Sequence, residues 1–249
     1  MFIFLYAPIA ALAVFSFNDS KSMGSWEGFT LKWYKSLFQD ERIMTALFYT
    51  IAIAIIASLI ATIIGTITAI GIHNMRNGKF KTILLNVNNL PILNPDVVTG
   101  VSLMTLFVMM NMEFGFTTML LSHIVFNIPY VILAVLPKLK QLPPNIEDAA
   151  MDLGATPMYA LRKVIIPQIK PGIISGMLIA FTMSIDDFVI SFFTAGNGVS
   201  NLSIEIYSMT RRGISPEINA LSTIMFIVVL ALLILSNVSG KKQPVLNKE

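Results

Sequence analysis

Apolar residues gather into six long runs separated by shorter polar stretches. The runs are Met1 to Phe17, Ile43 to Ile72, Ile83 to Met110, Phe116 to Leu136, Pro171 to Ala195 and Ile218 to Val238, and none of them contains a Lys or Arg. A helix needs roughly 20 apolar residues to cross about 30 Å of hydrocarbon, and the uncharged run from Ile43 to Ile72 spans it with room for tilt. The pattern predicts an all-α fold, a polytopic membrane bundle of about six transmembrane helices forming a single domain over residues 1–249. The first run lacks a basic start, and Phe15-Ser16-Phe17 is a poor small-residue cleavage site. It is therefore expected to be a retained helix and not a removed signal peptide, with a basic segment ahead of it left open.

Composition agrees with this pattern. Hydrophobic residues make up 55% of the chain and charged residues 12%, and the mean hydropathy is +0.75, where a soluble domain would sit near or below zero. Cytoplasmic loops carry the excess of Lys and Arg. With the N-terminus inside, the inner segments hold Arg76, Lys79, Lys81, Lys138, Lys140, Arg162, Lys163, Lys170, Lys241, Lys242 and Lys248. The outer segments hold only Lys21, Lys32, Lys35, Arg42, Arg211 and Arg212. Both termini are thus expected in the cytoplasm. The net charge of +3 is explained by the inner loops, and no nucleic acid is needed to account for it. The chain has no cysteine, which excludes disulfides, thiolate metal sites and cysteine nucleophiles.

The stretch from Gln141 to Gly172, QLPPNIEDAAMDLGATPMYALRKVIIPQIKPG, is too polar to span and too patterned for a linker. Pro143 and Pro144 can open a helix, and Glu147 with Asp148 place negative charge near its positive end. Ala149, Ala150, Leu153 and Met151 supply a small apolar face, and Gly154 is expected to stop the helix. A second short helix is expected from about Pro157 to Ile166, ending at Pro167 and carrying Arg162 and Lys163 outward. Two such helices at about 143–167 form either a rigid knob that another protein can approach closely or an amphipathic loop on the membrane surface.

The string DAAMDLG, followed by nine residues and VIIP, resembles the coupling motif of ABC importer permeases. That motif reads EAA, three residues, Gly, nine residues and I-x-L-P. Ala149, Ala150, Gly154 and Pro167 match it, Asp148 stands in the Glu place beside Glu147, and Val164 and Ile166 stand in the Ile and Leu places. FNDSK at 17–21, W-x-G-F-T-L-K-W-Y at 26–34, P-x-x-x-P-D-V-V-x-G-V-S-L from Pro91 and S-I-D-D-F-V-I-S-F-F-T-A-G from Ser184 resemble spermidine/putrescine importers, in particular their second, C-type permease. The resemblance covers nearly the whole chain. It implies a type I, MetI-like permease architecture, with Glu147, Asp148, Ala149, Ala150, Gly154 and Pro167 at the contact with the ATPase. It further implies a heterodimer with a sister permease, a cytoplasmic ATPase dimer that binds ATP and Mg, and an extracytoplasmic polyamine-binding protein. No cofactor is implied for this chain itself.

The spans add a clue about cargo. Their formal charges are Asp96, Asp186 and Asp187, all negative, with no Lys or Arg at that depth. An ionised side chain inside a membrane faces a cavity or a partner, and a cationic substrate is one such partner. Asp96 follows Pro91, Asn94 and Pro95, which must break or kink the third span, so it either caps a restarted helix or faces a pathway. Asp186 and Asp187 would point about 100° apart on a continuous helix. One could then meet cargo while the other bonds a neighbour. His123, Asn127 and Tyr130 share a face of the fourth span, as pathway lining or as interhelical hydrogen bonds. Trp26, Trp33 and Tyr34 read as interface anchors or as a docking surface for the binding protein, with anchoring favoured, and the methionines as packing.

No GxxxxGK[ST] loop occurs, so the chain cannot hydrolyse ATP by that route. It is read as a non-catalytic component with no metal site. Two rival readings are kept: a permease for another small solute, and a secondary transporter driven by an ion gradient, which would show paired broken helices.

Overall fold

The computed structural model describes residues 2–20, 25–196, 198–212 and 216–240, without the side chains of 2, 3, 5, 212 and 232–240. Lys21, Lys241, Lys242 and Lys248, on which part of the charge asymmetry rests, lie outside the described residues. The helices in chain order are α1 (Phe2–Phe15), α2 (Lys32–Gln39), α3 (Glu41–Asn74), α4 (Lys79–Leu93), α5 (Asp96–Met109) and α6 (Phe116–Lys140). They continue as α7 (Ile146–Asp152), α8 (Pro157–Ala160), α9 (Ile166–Asp186), α10 (Val189–Thr194), α11 (Leu202–Arg212) and α12 (Pro216–Gly240). Among the described residues, extended pairing is limited to one isolated bridge, Asn18 to Phe29.

All six apolar runs are helical, and two of them are broken. By length and composition, α3, α6 and the helix from Pro157 to Asp186 are long enough to cross a membrane. The pair α4 and α5 meets the same length and composition test only when taken together, as a broken span or a re-entrant loop bent by 106°. The bend falls at Asn94 and Pro95, while Pro91 lies inside α4. α6 likewise runs through Pro129 and Pro137.

The chain divides into two compact units, Met1–Thr50 with Val199–Glu249, and Ile51–Gly198. The core of the first is Trp33, Leu37, Ile43, Ala46, Leu202, Ala220 and Leu221. Here the aromatic anchors expected in the first outer loop are corrected in part. Trp33 is 7% exposed and donates its indole N–H to the Asn18 carbonyl at 2.7 Å, and the Tyr34 hydroxyl bonds Ser16 Oγ at 2.7 Å. The amphipathic α2 turns its apolar face onto α12, which claims Trp33 for packing, while Trp26 stays exposed.

In the second unit, α3, α6 and α9 meet through small side chains. Ala57, Ala61, Gly65 and Ala69 recur every fourth residue and are buried on α3, as are Gly172, Gly176 and Ala180 on α9. Membrane helices gain nothing from hiding apolar surface among apolar lipid tails, so their backbones must approach closely for dispersion to hold them. A Cβ built on Gly65 would lie 2.8 Å from Val131 Cβ, and one on Gly176 would lie 3.2 Å from Val131 Cα. Gly176→Leu is therefore expected to cost about 1–3 kcal/mol by overpacking. Thermal unfolding in detergent checks this: the midpoint should fall for Gly176→Leu and stay put for the exposed control Ile174→Leu.

Candidate functional site

The segment after α6 forms two short helices around a glycine corner. α7 carries Glu147 and Asp148 in its first turn, and Gly154 takes φ +87°. That left-handed conformation favours glycine, and it lets the Gly154 N–H reach Met151 O at 2.8 Å and the Ala155 N–H reach Ala150 O at 3.1 Å. Thr156 then caps α8, its hydroxyl accepting from the Tyr159 N–H at 3.3 Å.

The expected second helix does not end at Pro167. α8 passes through a π-helical turn, Leu161–Ile165, directly into α9, with Pro167 in the first turn of α9. Proline has no N–H and its ring crowds the carbonyl four residues back. A widened turn ahead of it relieves both problems without breaking the helix. The corner is thereby continuous with the fifth span, where a helix end at Pro167 was expected.

The corner's apolar groups face outward. Leu153 is 91% exposed, and Met158 and Tyr159 are more than half exposed. Asp148, Ala149 and Gly154 are also exposed, and Glu147 and Ala150 are half-buried. Ala150, Leu153, Gly154, Ala155, Thr156, Tyr159 and Val164 line a shallow cleft of about 440 Å³. A Cβ on Gly154 would meet nothing within 4 Å. The corner therefore presents exposed apolar side chains around a cleft, a form suited to another protein's surface. Arg162 and Lys163 point outward as expected.

The two adjacent acids in the fifth span are not on one helix. Asp186 ends α9, and Asp187 is extended with ψ 124°, so the 100° relation expected for a continuous helix does not hold. Asp187 caps α10 instead: Oδ1 accepts the Ile190 N–H at 3.2 Å and Oδ2 the Ser191 N–H at 2.8 Å. A helix restarted at membrane depth has N–H groups that water cannot reach, and the carboxylate supplies their acceptor. Ser191 Oγ also donates to Asp187 Oδ2 at 2.8 Å, and His123 Nε2 lies 2.9 Å from Ser191 Oγ. Asp186, by contrast, is exposed on this chain.

His123 and Asn127 are buried against the fifth span, Asn127 donating to Ser184 Oγ at 2.7 Å. Both make the interhelical bonds left open by the sequence. Tyr130 is half-buried, its ring packed against Phe126 at 5.3 Å between centroids. Asp96 lies in the first turn of α5, where Pro95 holds the capping position and no side chain makes the cap bond. It is exposed, and its charge suits the positive end of that helix. The sequence reading missed the serine between His123 and Asp187. An Asp three residues ahead of an apolar N–H, followed by Ser at the fourth position, was a capping signal available in DDFVIS.

His, Ser and Asp converge here, but not as a hydrolytic triad. In a triad the acid holds the imidazole and the imidazole holds the serine. Here the acid holds the serine, and His123 Nε2 is 3.6 Å from Asp187 Oδ2. Among the described residues no three His, Cys, Asp or Glu side chains converge as metal ligands.

The sequence pattern of binding-protein-dependent transport system inner membrane components matches residues 61–241. The chain is 37% identical over 242 residues to the spermidine/putrescine transport system permease protein PotC of Haemophilus influenzae, covering 97% of this chain and 94% of that protein. It is 40% identical over 232 residues to the putrescine transport system permease protein PotI of Escherichia coli, covering 90% and 82%. In fold it is similar to a chain of a bacterial ABC transporter that imports the acidic polysaccharide alginate, with TM-score 0.75, 15% identity and coverage of 98% and 91%. A chain of the inward-facing MetNI methionine ABC transporter is also similar, with TM-score 0.67, 19% identity and coverage of 81% and 98%. This chain, a multi-pass helical membrane protein, belongs to the family of binding-protein-dependent transport system inner membrane components.

Proposed function

We propose that this chain is the C-type permease subunit of an ATP-driven polyamine importer in a bacterial inner membrane. Over 1–249 it acts as one transmembrane domain with both termini in the cytoplasm, and forms half of the translocation path beside a sister permease. A cytoplasmic ATPase dimer holds ATP and Mg, and an extracytoplasmic binding protein delivers spermidine or putrescine.

The observation that carries the cargo assignment is the sign of the charge in the spans: Asp96, Asp186 and Asp187 are all negative, and the six apolar runs of the sequence contain no Lys or Arg. Asp96 and Asp186 are exposed on this chain, so a passing polyamine can be their counter-ion, with Tyr130 as a further polar group on the path. An oxyanion pathway would need the opposite sign or a lining of amides. The names of relatives at 37% and 40% identity point to the same cargo.

The coupling assignment is supported by the exposed corner from Ile146 to Ile166. Ala149, Ala150 and Gly154 allow close approach, Glu147 and Asp148 offer polar contacts, and the unbroken passage through Pro167 into α9 carries a push on the corner into the fifth span. ATP-driven closure of the ATPase then switches the bundle between inward and outward states.

The test is ATP-dependent uptake of labelled spermidine and putrescine into proteoliposomes holding the chain with its ATPase, sister permease and binding protein. Saturable, ATP-dependent uptake of either amine is expected. Transport of another solute in place of both would sink the polyamine assignment and leave the importer class standing.

A further inference from the structure

The seam between α6 and the fifth span changes character along its length. Past Gly172, Gly176 and Ala180 it is knitted by polar groups: Asn127 to Ser184 at 2.7 Å, His123 to Ser191 at 2.9 Å, and Thr118 Oγ1 to Thr194 O at 2.9 Å. The middle rung has a direction. Ser191 has one hydroxyl proton, and the carboxylate of Asp187 can only accept, so that proton lies on the 2.8 Å bond to Oδ2. Ser191 Oγ is then the acceptor toward the imidazole, and His123 carries its proton on Nε2. The side chains of His123 and Asp187 are 3% and 8% exposed, so water does not replace a lost partner.

We infer that His123 is a positioning residue for transport, acting on Asp187 through the Ser191 hydroxyl to fix the break in the fifth span. The chain of bonds runs from imidazole N–H to serine O–H to carboxylate, and the carboxylate in turn holds the N–H groups of Ile190 and Ser191 in the first turn of α10. His123 thus sets, from the fourth span, the angle at which the fifth span turns. It needs no contact with cargo to do so. The functional part of this inference rests on the transport reading above, whereas the bond relay does not.

The experiment uses the whole complex with His123→Leu, His123→Gln, Ser191→Ala and the His123→Leu/Ser191→Ala double variant. Glutamine places an amide N–H near the position of Nε2 and is the conservative rescue. Hydrogen exchange over residues 188–194, read without cargo, is expected to speed up in His123→Leu and Ser191→Ala and to stay near the parent in His123→Gln. Maximal spermidine uptake is expected to fall about tenfold in His123→Leu, with KM little changed, and to recover in His123→Gln. The double variant should be no worse than the worse single one, because both cut the same relay.

Unchanged exchange in His123→Leu overturns the relay. Additive losses in the double variant, an impaired Gln variant with normal exchange, or a change confined to KM overturn the positioning role. If the parent complex moves no spermidine while exchange responds as stated, the relay stands and the cargo assignment fails.

Discussion

Gly154→Trp is expected to reduce ATP-dependent uptake by at least about 100-fold, the loss typical of a residue at the centre of a protein contact, while the chain still folds. Gly154 sits at φ +87°, so any L side chain there bears strain of about 1–2 kcal/mol. A Cβ meets open space, so nothing inside the chain is displaced. The indole instead fills the cleft beside Ala150, Ala155 and Thr156 and holds a docking surface away. Gly154→Ala carries the strain without the bulk and should retain most activity. Uptake measured together with ATPase activity stimulated by the binding protein separates the two variants. Normal coupling in Gly154→Trp would show that the corner is not the contact with the ATPase.

The second large effect separates two neighbouring acids. Asp187→Ala removes the acceptor for the N–H groups of Ile190 and Ser191 and for the Ser191 hydroxyl. Each buried donor left unmade costs about 1–3 kcal/mol, so the thermal midpoint and the yield of folded protein should drop sharply. Asp187→Asn keeps one acceptor oxygen and should fall between. Asp186→Asn is expected to move stability by about 0.5 kcal/mol or less, as for exposed positions, and to act chiefly by raising KM for spermidine. Equal KM effects at both positions, with unchanged unfolding, would remove the structural role given to Asp187.

Much of the site was legible before any coordinates. DAAMDLG and VIIP marked the two-helix corner, and Gly154 was recognisable as a helix stop because few other residues tolerate the left-handed region. The break in the third span was foreseen from its prolines, although Pro91 proved compatible with a helix and only Pro95, after Asn94, coincides with the bend. The broken fifth span was not foreseen. SIDDFVIS reads as uninterrupted apolar helix unless Asp187 is taken as a cap, and that depends on an acceptor role that composition does not reveal. Trp33 was misjudged for a related reason: an indole at a loop looks like an interface anchor until the amphipathic face of α2 is laid on a neighbouring helix.

By itself the sequence determined that this is a helical membrane protein with a glycine corner between its fourth and fifth spans and acids in its spans. Those properties follow from local quantities: the length of an apolar run against the bilayer, the φ a glycine permits, and the sign of a side chain. The tertiary structure alone decided what each polar residue touches. His123 and Asp187, 64 positions apart by their numbers in the chain, meet only because α6 packs against the fifth span closely enough for Ser191 to bridge them. Inside a membrane every polar group must find its partner within the protein, and which partner it finds is fixed by how the helices pack.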